Sequence, residues 1–301
     1  MINKRKVSVL VIAHNEESNI KKILLDILQQ NESNYVLIKV SVVDDGSKDN
    51  TSEYVKSLKS PKTELITYRS NTGKVTRMSD FMKTFDGDIL VQLDADIRIP
   101  SKDVISKLVQ PFLENKEVDL VCGWHFPLKP KTFAEKLAYF GVMVWNRAIK
   151  IAGNPPRYMC IGQVRVFSRK FANNFSIPKK EQFLTEDVYS FYFAVKNNYT
   201  YKMVSDAVVY FKLPDNFRDY KKQMKRFLKS PSDGRKVFGE KLVKKYDVMN
   251  SGDKLLALMI EFFSNPFIAI CYVILQGITR YEARSFQNDV KWEMIESSKK
   301  L

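Results

Sequence analysis

Four short apolar runs rich in β-formers, each stopping at polar residues and alternating with segments of helical period, constrain this chain most. Val7 to Ala13 stops at His14-Asn15-Glu16, and Val36 to Val43 stops at Asp44-Asp45-Gly46-Ser47. Leu65 to Tyr68 precedes Asn71-Thr72-Gly73-Lys74, and Ile89 to Leu93 stops at Asp94-Ala95-Asp96. Between them Ile20, Ile23, Leu24, Ile27 and Leu28 recur at helical spacing, and Tyr54, Val55 and Leu58 mark a second helix. This β-α-β-α-β-α-β rhythm predicts an α/β fold, a doubly wound and mainly parallel sheet with flanking helices and right-handed crossovers. Ligands of such sheets bind beyond the carboxyl ends of the strands. There the sequence gathers Asn15, Asp45, Lys74, Asp94 and Asp96.

The fourth run carries the sharpest chemistry. Alternation places Asp94 and Asp96 on one side if the extended path continues, with little Ala95 between them. Two carboxylates that close repel unless a cation joins them. Hard oxygen ligands suit Mg²⁺ or Mn²⁺, which fills its remaining positions with phosphate oxygens.

Downstream, Val104, Leu108 and Phe112 mark a helix, Asp119 to Gly123 a strand, and Phe133 to Ala152 an aromatic-rich amphipathic helix. Gly162 to Arg169 reads as a strand, Val204 to Phe211 as the last one. Between these, Thr185 is the expected N-cap of a helix whose first turn holds Glu186 and Asp187. From Arg218 onward the character changes: Arg218, Lys221, Lys222, Lys225, Arg226 and Lys229 crowd one helix.

A formal net charge of +15 calls for an anionic partner. A nucleic-acid-binding protein would spread that charge over a groove with aromatic platforms. Here it concentrates beside a nearly continuous apolar run, Leu255 to Ile278, so an anionic membrane surface is expected and nucleic acid is not. Ser264-Asn265-Pro266 breaks that run, which fits an interfacial helical hairpin, a single spanning helix or a helix pair packed on the protein. Arg280, Arg284, Lys291, Lys299 and Lys300 follow it and favour the cytoplasmic leaflet. Cys122, Cys160 and Cys271 are scattered and odd in number, so neither a disulfide framework nor a zinc site is expected, and a reducing cytoplasm is. No cleavable signal is evident before the first strand.

Taken in order, Val7 to Glu17, Val42 to Thr51, Gly73-Lys74, Asp94-Ala95-Asp96, Thr185-Glu186-Asp187 and Gln223-Met224-Lys225-Arg226-Phe227 resemble the motifs of family-2 inverting glycosyltransferases with the GT-A fold. The resemblance implies a GT-A-like catalytic domain over 1–215, its nucleotide-sugar-binding part about 1–100 and its acceptor-binding part about 101–215. Residues 216–301 would form a basic, helical, membrane-associating appendage at the cytoplasmic face of the cell membrane.

It also implies roles. Ala13, His14, Asn15 and Glu16 would line the nucleoside pocket, and Asp45 would hydrogen-bond the base. Asp96 would be the principal metal ligand, and Asp94 would contact the metal or the donor. Lys74 would join the donor site, Gln223 would line the acceptor end, and Arg226 would clamp the pyrophosphate. Inversion needs a base opposite the leaving group; Glu186-Asp187 supplies it, and the resemblance assigns the role to Asp187. The expected reaction moves a sugar from UDP or GDP to a lipid-linked or saccharide acceptor with Mg²⁺ or Mn²⁺. A nucleotidyltransferase on a similar sheet is the competing enzyme. It would give Glu186-Asp187 no task and would carry a Gly-rich phosphate loop near the N-terminus, which this sequence lacks.

Overall fold

A computed structural model describes residues 4–178, 185–284 and 297, with the side chains of 226–233 and 284 excluded. Arg226, Phe227, Lys229 and Arg284 are therefore placed by backbone alone, and Lys291, Lys299 and Lys300 lie outside the described residues. In chain order the elements are β1 (Arg5–Ala13), α1 (Ile20–Leu28), β2 (Tyr35–Asp44), α2 (Thr51–Ser57), β3 (Thr63–Thr67), α3 (Lys74–Phe81), β4 (Ile89–Asp94), β5 (Ile97–Arg98), α4 (Val104–Glu114) and β6 (Val118–Pro127). There follow α5 (Phe133–Ile151), α6 (Pro156–Met159), β7 (Val164–Ser168), α7 (Arg169–Asn174), α8 (Glu186–Lys196), β8 (Thr200–Phe211), α9 (Phe217–Phe238), α10 (Glu240–Tyr246), α11 (Ser251–Ser264) and α12 (Pro266–Arg284).

The chain divides into two compact units, one of Met1–Phe126 with Met159–Phe211, the other of Pro127–Tyr158 with Lys212–Lys300. The first unit holds the sheet, in the order β3-β2-β1-β4-β7-β6-β8-β5. β3, β2, β1 and β4 are mutually parallel. Their inner stretches are apolar without alternation (Val9, Leu10, Val11, Leu90 and Val91 have no exposure), as strands covered on both faces require. Beyond β4 the direction reverses, since β7 pairs antiparallel with both β4 and β6, and β5 with β8. The order runs outward from β1 to β3 on one side and restarts with β4 on the other. The switch point therefore falls between β1 and β4, where Ile12 stands opposite Asp94.

Two anchors fix what surrounds that point. Arg98 of β5 grips Asp26 of α1 with Nε and Nη2, at 2.7 and 2.9 Å, and Ile99 N donates to the same carboxylate. This fork holds β5, and hence the two-residue turn between β4 and β5. On the other side Phe167, Phe171 and Phe175 stack in series, and Phe193 meets Phe171 edge-on at 5.4 Å. Such pairs add roughly 1 kcal/mol each beyond area burial, and this cluster ties α8 to β7 and α7.

In the second unit α5 opens with a capping box, Thr132 and Glu135 exchanging hydrogen bonds. Phe140 of α5 lies 5.3 Å from the ring of Tyr272 on α12, and Arg147 pairs with Glu261 on α11. Gln276 donates to the Tyr220 hydroxyl at 2.7 Å, joining α12 to α9. The apolar run is thus a pair of helices broken at Asn265, and no described helix is long and apolar enough to cross a membrane. Its Ala257, Ile268 and Ala269 are buried, yet Phe263 and Phe267, flanking the break, are 83% and 66% exposed.

Candidate active site

Strand β4 ends on Asp94, and the chain then turns through Ala95-Asp96 into β5. The extended path assumed for Asp94 and Asp96 therefore stops two residues early, at Asp94. The two carboxylates belong to a strand end and to the turn after it, with Ala95 buried between them. Because alternate residues share a strand face, Gln92 stands beside Asp94 and donates Nε2 to its Oδ1 at 3.1 Å.

Lys74, the first residue of α3, follows Gly73, whose φ of 94° suits only glycine comfortably. From there its ammonium reaches Asp94 Oδ1 and Glu186 Oε1, both at 2.5 Å, and the Gly162 carbonyl at 3.3 Å. The end of β4 and the N-terminus of α8 are thus within reach of one lysine side chain. Burial opposes the charge on Lys74, but the carboxylates of Asp94 and Glu186 more than offset it and raise the pKa. Burial likewise pushes Glu186 up, yet Lys74 and Arg165 overcome it and hold the carboxyl well below the ordinary range. Glu186 is therefore ionised at neutral pH and committed to two cations, a poor starting point for accepting a proton. Its neighbour Asp187 is half-buried. Thr185 occupies the N-cap position as expected, but its side chain makes no capping hydrogen bond.

A depressed carboxylate pKa stabilises the fold above the unfolded value and loses that contribution as the pH falls through the folded one. Glu186→Gln is expected to cost about 3 kcal/mol at pH 7, since it removes the carboxylate that faces the fully buried Arg165 and one of the two that hold Lys74. The gap from wild type should narrow as the pH drops from about 4.5 toward the folded value of about 2. Urea unfolding at pH 7, 5, 4 and 3 reads it directly.

At the ends of β1 and β2, two loops are laced together. Asp45 N donates to the Ala13 carbonyl at 2.9 Å, and His14 Nδ1 lies 2.9 Å from the Asp45 carbonyl. Asn15, with φ of 54°, donates its N–H to Ser47 Oγ and accepts from Lys48 N. Glu16 is buried and accepts from Asn19 Nδ2 at 2.9 Å. The Asp45 carboxylate takes Arg77 Nε at 2.6 Å and the backbone N–H groups of Thr72 and Gly73. Here Asp45 fastens the loop entering α3, and Arg77 in turn lies over the Tyr68 ring. Ala13 and Glu16 have buried side chains, while His14 and Asn15 are half-buried.

Two participants were not singled out in the sequence, Arg165 and Gln92. Arg165 on β7 is fully buried and bonds Gln92, Ser190 and Glu186. Its signal was a charge between Val164 and Val166, just as Gln92 interrupts the apolar run of β4. His125, against Trp124 and Phe211, is pushed by burial down to about 4, opposed by its hydrogen bond with Gln163 and by the charge of Asp187. Its Nδ1 has no partner among the described residues. Cys122, Cys160 and Cys271 are free, and Cys160 Sγ donates to the Asp187 carbonyl at 3.7 Å. Gln223 and the backbone of Arg226 lie on α9, in the second unit.

Among the described residues no three acidic, histidine or cysteine side chains group as metal ligands. Asp94 and Asp96 offer oxygen donors on one short stretch. That fits Mg²⁺ or Mn²⁺, which typically take one or two protein carboxylates and complete their shell with water and substrate phosphate.

A "Mannosyltransferase PcManGT from Pyrobaculum calidifontis", solved with GDP-Man and Mn²⁺, superposes with a TM-score of 0.60 at 16% identity, covering 95% of this chain and 77% of that one. The likeness establishes the GT-A type of fold. An uncharacterized glycosyltransferase, YkcC, of Bacillus subtilis (strain 168) is 30% identical over 134 residues, 43% of this chain and 40% of its own length. A human dolichyl-phosphate beta-glucosyltransferase is 27% identical over 167 residues, 48% of this chain and 51% of its own. The chain thus matches about half or less of these curated relatives' lengths. The sequence profile of glycosyl transferase family 2 matches residues 8–175, more than half of the chain. The chain therefore belongs to glycosyl transferase family 2.

Proposed function

We propose that this enzyme transfers one sugar, with inversion, from a UDP- or GDP-sugar to a hydroxyl of a lipid-linked or membrane-proximal acceptor. The observation that carries the reading is the Lys74 bridge, which brings Asp94 within reach of the helix turn holding Asp187. Asp187 accepts the acceptor's proton as the new bond forms, and Glu186, already ionised and paired, does not compete for it. Lys74 stands where it can turn toward the departing diphosphate. Mg²⁺ or Mn²⁺, held by Asp96 and Asp94, would supply Lewis-acid stabilisation of the charge on that leaving group. His14, Asn15 and the loop fastened by Asp45 form the floor for the nucleoside.

Names of relatives support the acceptor class: a Proteus mirabilis relative is an undecaprenyl-phosphate 4-deoxy-4-formamido-L-arabinose transferase, and the human one acts as a dolichyl-phosphate glucosyltransferase. Thermal-shift screening of UDP-, GDP- and dTDP-sugars with and without Mn²⁺ tests the donor, because selective ligands stabilise the folded state. The reading requires one nucleotide sugar to stabilise the protein and to be consumed with lipid acceptor present. Stabilisation by none of them would sink it.

The membrane part of the reading rests on α11 and α12. Leu258, Met259, Phe262, Phe263, Ile270 and Ile274 line an open apolar trough of about 450 Å³. Basic α9 belongs to the same unit. An anionic bilayer surface satisfies both features. Phe263→Ser with Phe267→Ser is expected to weaken binding to vesicles of phosphatidylglycerol and phosphatidylcholine by about 10- to 100-fold. Vesicle sedimentation at two salt concentrations measures this, and unchanged binding would remove the hairpin from the contact.

A further inference from the structure

Arg165 is a charged side chain with no exposure, in the middle of the sheet. A leucine or methionine would fill that space without the desolvation that a buried guanidinium suffers, so its contacts must explain it. They point in two directions. Toward β4, where Gln92 is its register partner, Nε and Nη2 donate to Gln92 Oε1 at 3.1 and 2.6 Å. Gln92 passes the connection on, donating Nε2 to Asp94 Oδ1. Toward α8, Nη1 donates to Ser190 Oγ at 3.1 Å, and Nη2 lies 3.4 Å from Glu186 Oε1. Ser190 Oγ closes the group by donating to the Glu186 carbonyl at 2.6 Å.

We infer that Arg165, acting through Gln92, is a positioning residue that fixes the first turn of α8, and with it Asp187, against the end of β4. The inference rests on the proposed role of Asp187. A planar fork with five donors addresses Gln92 on the strand and Ser190 and Glu186 on the helix together, whereas a lysine at 165 would bring three donors and no fixed fork. Lys74 makes the other connection between Asp94 and Glu186, but it sits at the surface of the site, where donor phosphate competes for it. With Lys74 drawn away, Arg165 remains to pair Glu186 and to keep the helix turn in place. A displacement of about 1 Å at a reacting group can cost about 100-fold in rate, so the loss of this brace falls on turnover rather than on donor binding.

The experiment compares wild type, Arg165→Lys, Arg165→Met and Ser190→Ala. Amide hydrogen exchange at Tyr189 and Ser190, with no donor present, reads the positioning directly. Protection there should fall at least tenfold in Arg165→Lys, while the β1 and β4 amides stay as in wild type. In the transfer assay kcat should fall about 100-fold for Arg165→Lys with the donor KM within threefold. Arg165→Met should fall further and Ser190→Ala by less. Either of two results overturns the inference: Arg165→Lys turning over within threefold of wild type, or exchange rising equally across the whole sheet, which marks a general stability role. If wild type itself transferred no sugar, the proposed activity would fall, and exchange at Tyr189 and Ser190 would still decide the positioning.

Discussion

Asp187→Asn should lower kcat by about 10²- to 10⁴-fold, the range that a positioned general base contributes, while nucleotide affinity stays within threefold. Asparagine preserves size and the start of α8 but cannot take a proton. The neighbouring acid cannot substitute, because Lys74 and Arg165 hold Glu186 ionised and occupied. The size of the loss also reports on the acceptor. A hydroxyl arrives protonated and depends on the base. A phosphate monoester, with a second pKa near 6, arrives largely ionised at neutral pH. Single-turnover rates of the variant measure this, and a loss below about tenfold would deny Asp187 the role.

Asp96→Ala should remove the response to Mn²⁺ and reduce transfer by more than about 100-fold, a loss typical of deleting one preorganised electrostatic contact at a site of developing charge. Fold stability should change little, because Asp96 lies in a turn whose course is set by the Arg98–Asp26 fork and the β5–β8 pairing. Titrating Mn²⁺ against nucleotide-dependent thermal stabilisation separates metal binding from folding. Asp94→Ala should do more damage to the apo protein, since it deprives both Lys74 and Gln92 of a partner. Equal metal dependence in wild type and Asp96→Ala would refute the metal assignment.

The parallel half of the sheet was legible because its strands are apolar throughout and its helices are strongly periodic: Val9 to Val11 and Ile20 to Ile27 carry patterns that tertiary context had no reason to override. The strand ends were legible as positions too: Asp45 directly follows β2, Asp94 closes β4 and Lys74 opens α3. What escaped was long-range. β5, only Ile97–Arg98, is too short to carry a period and exists because Asp26 and β8 hold it. The Ala95-Asp96 turn depends on the same anchor, so strand alternation alone ran two residues too far. Arg165 and Gln92 read as interruptions of good strands, and only their pairing across β4 and β7 explains both. The loop function of Asp45 depends on Arg77, thirty-two positions away, which no local pattern connects to it.

The second unit is assembled from two stretches separated by 159–211, and this bears on how the protein is made. α5 leaves the ribosome with Leu137, Phe140 and Val144 uncovered. Tyr272, which packs on Phe140, emerges about 130 residues later. At ordinary elongation rates that interval lasts on the order of ten seconds, during which an amphipathic helix waits without its mate. A chain cut at 215 would keep α5 permanently in that state, so expression of the shortened protein is a problem of solubility before it is one of catalysis.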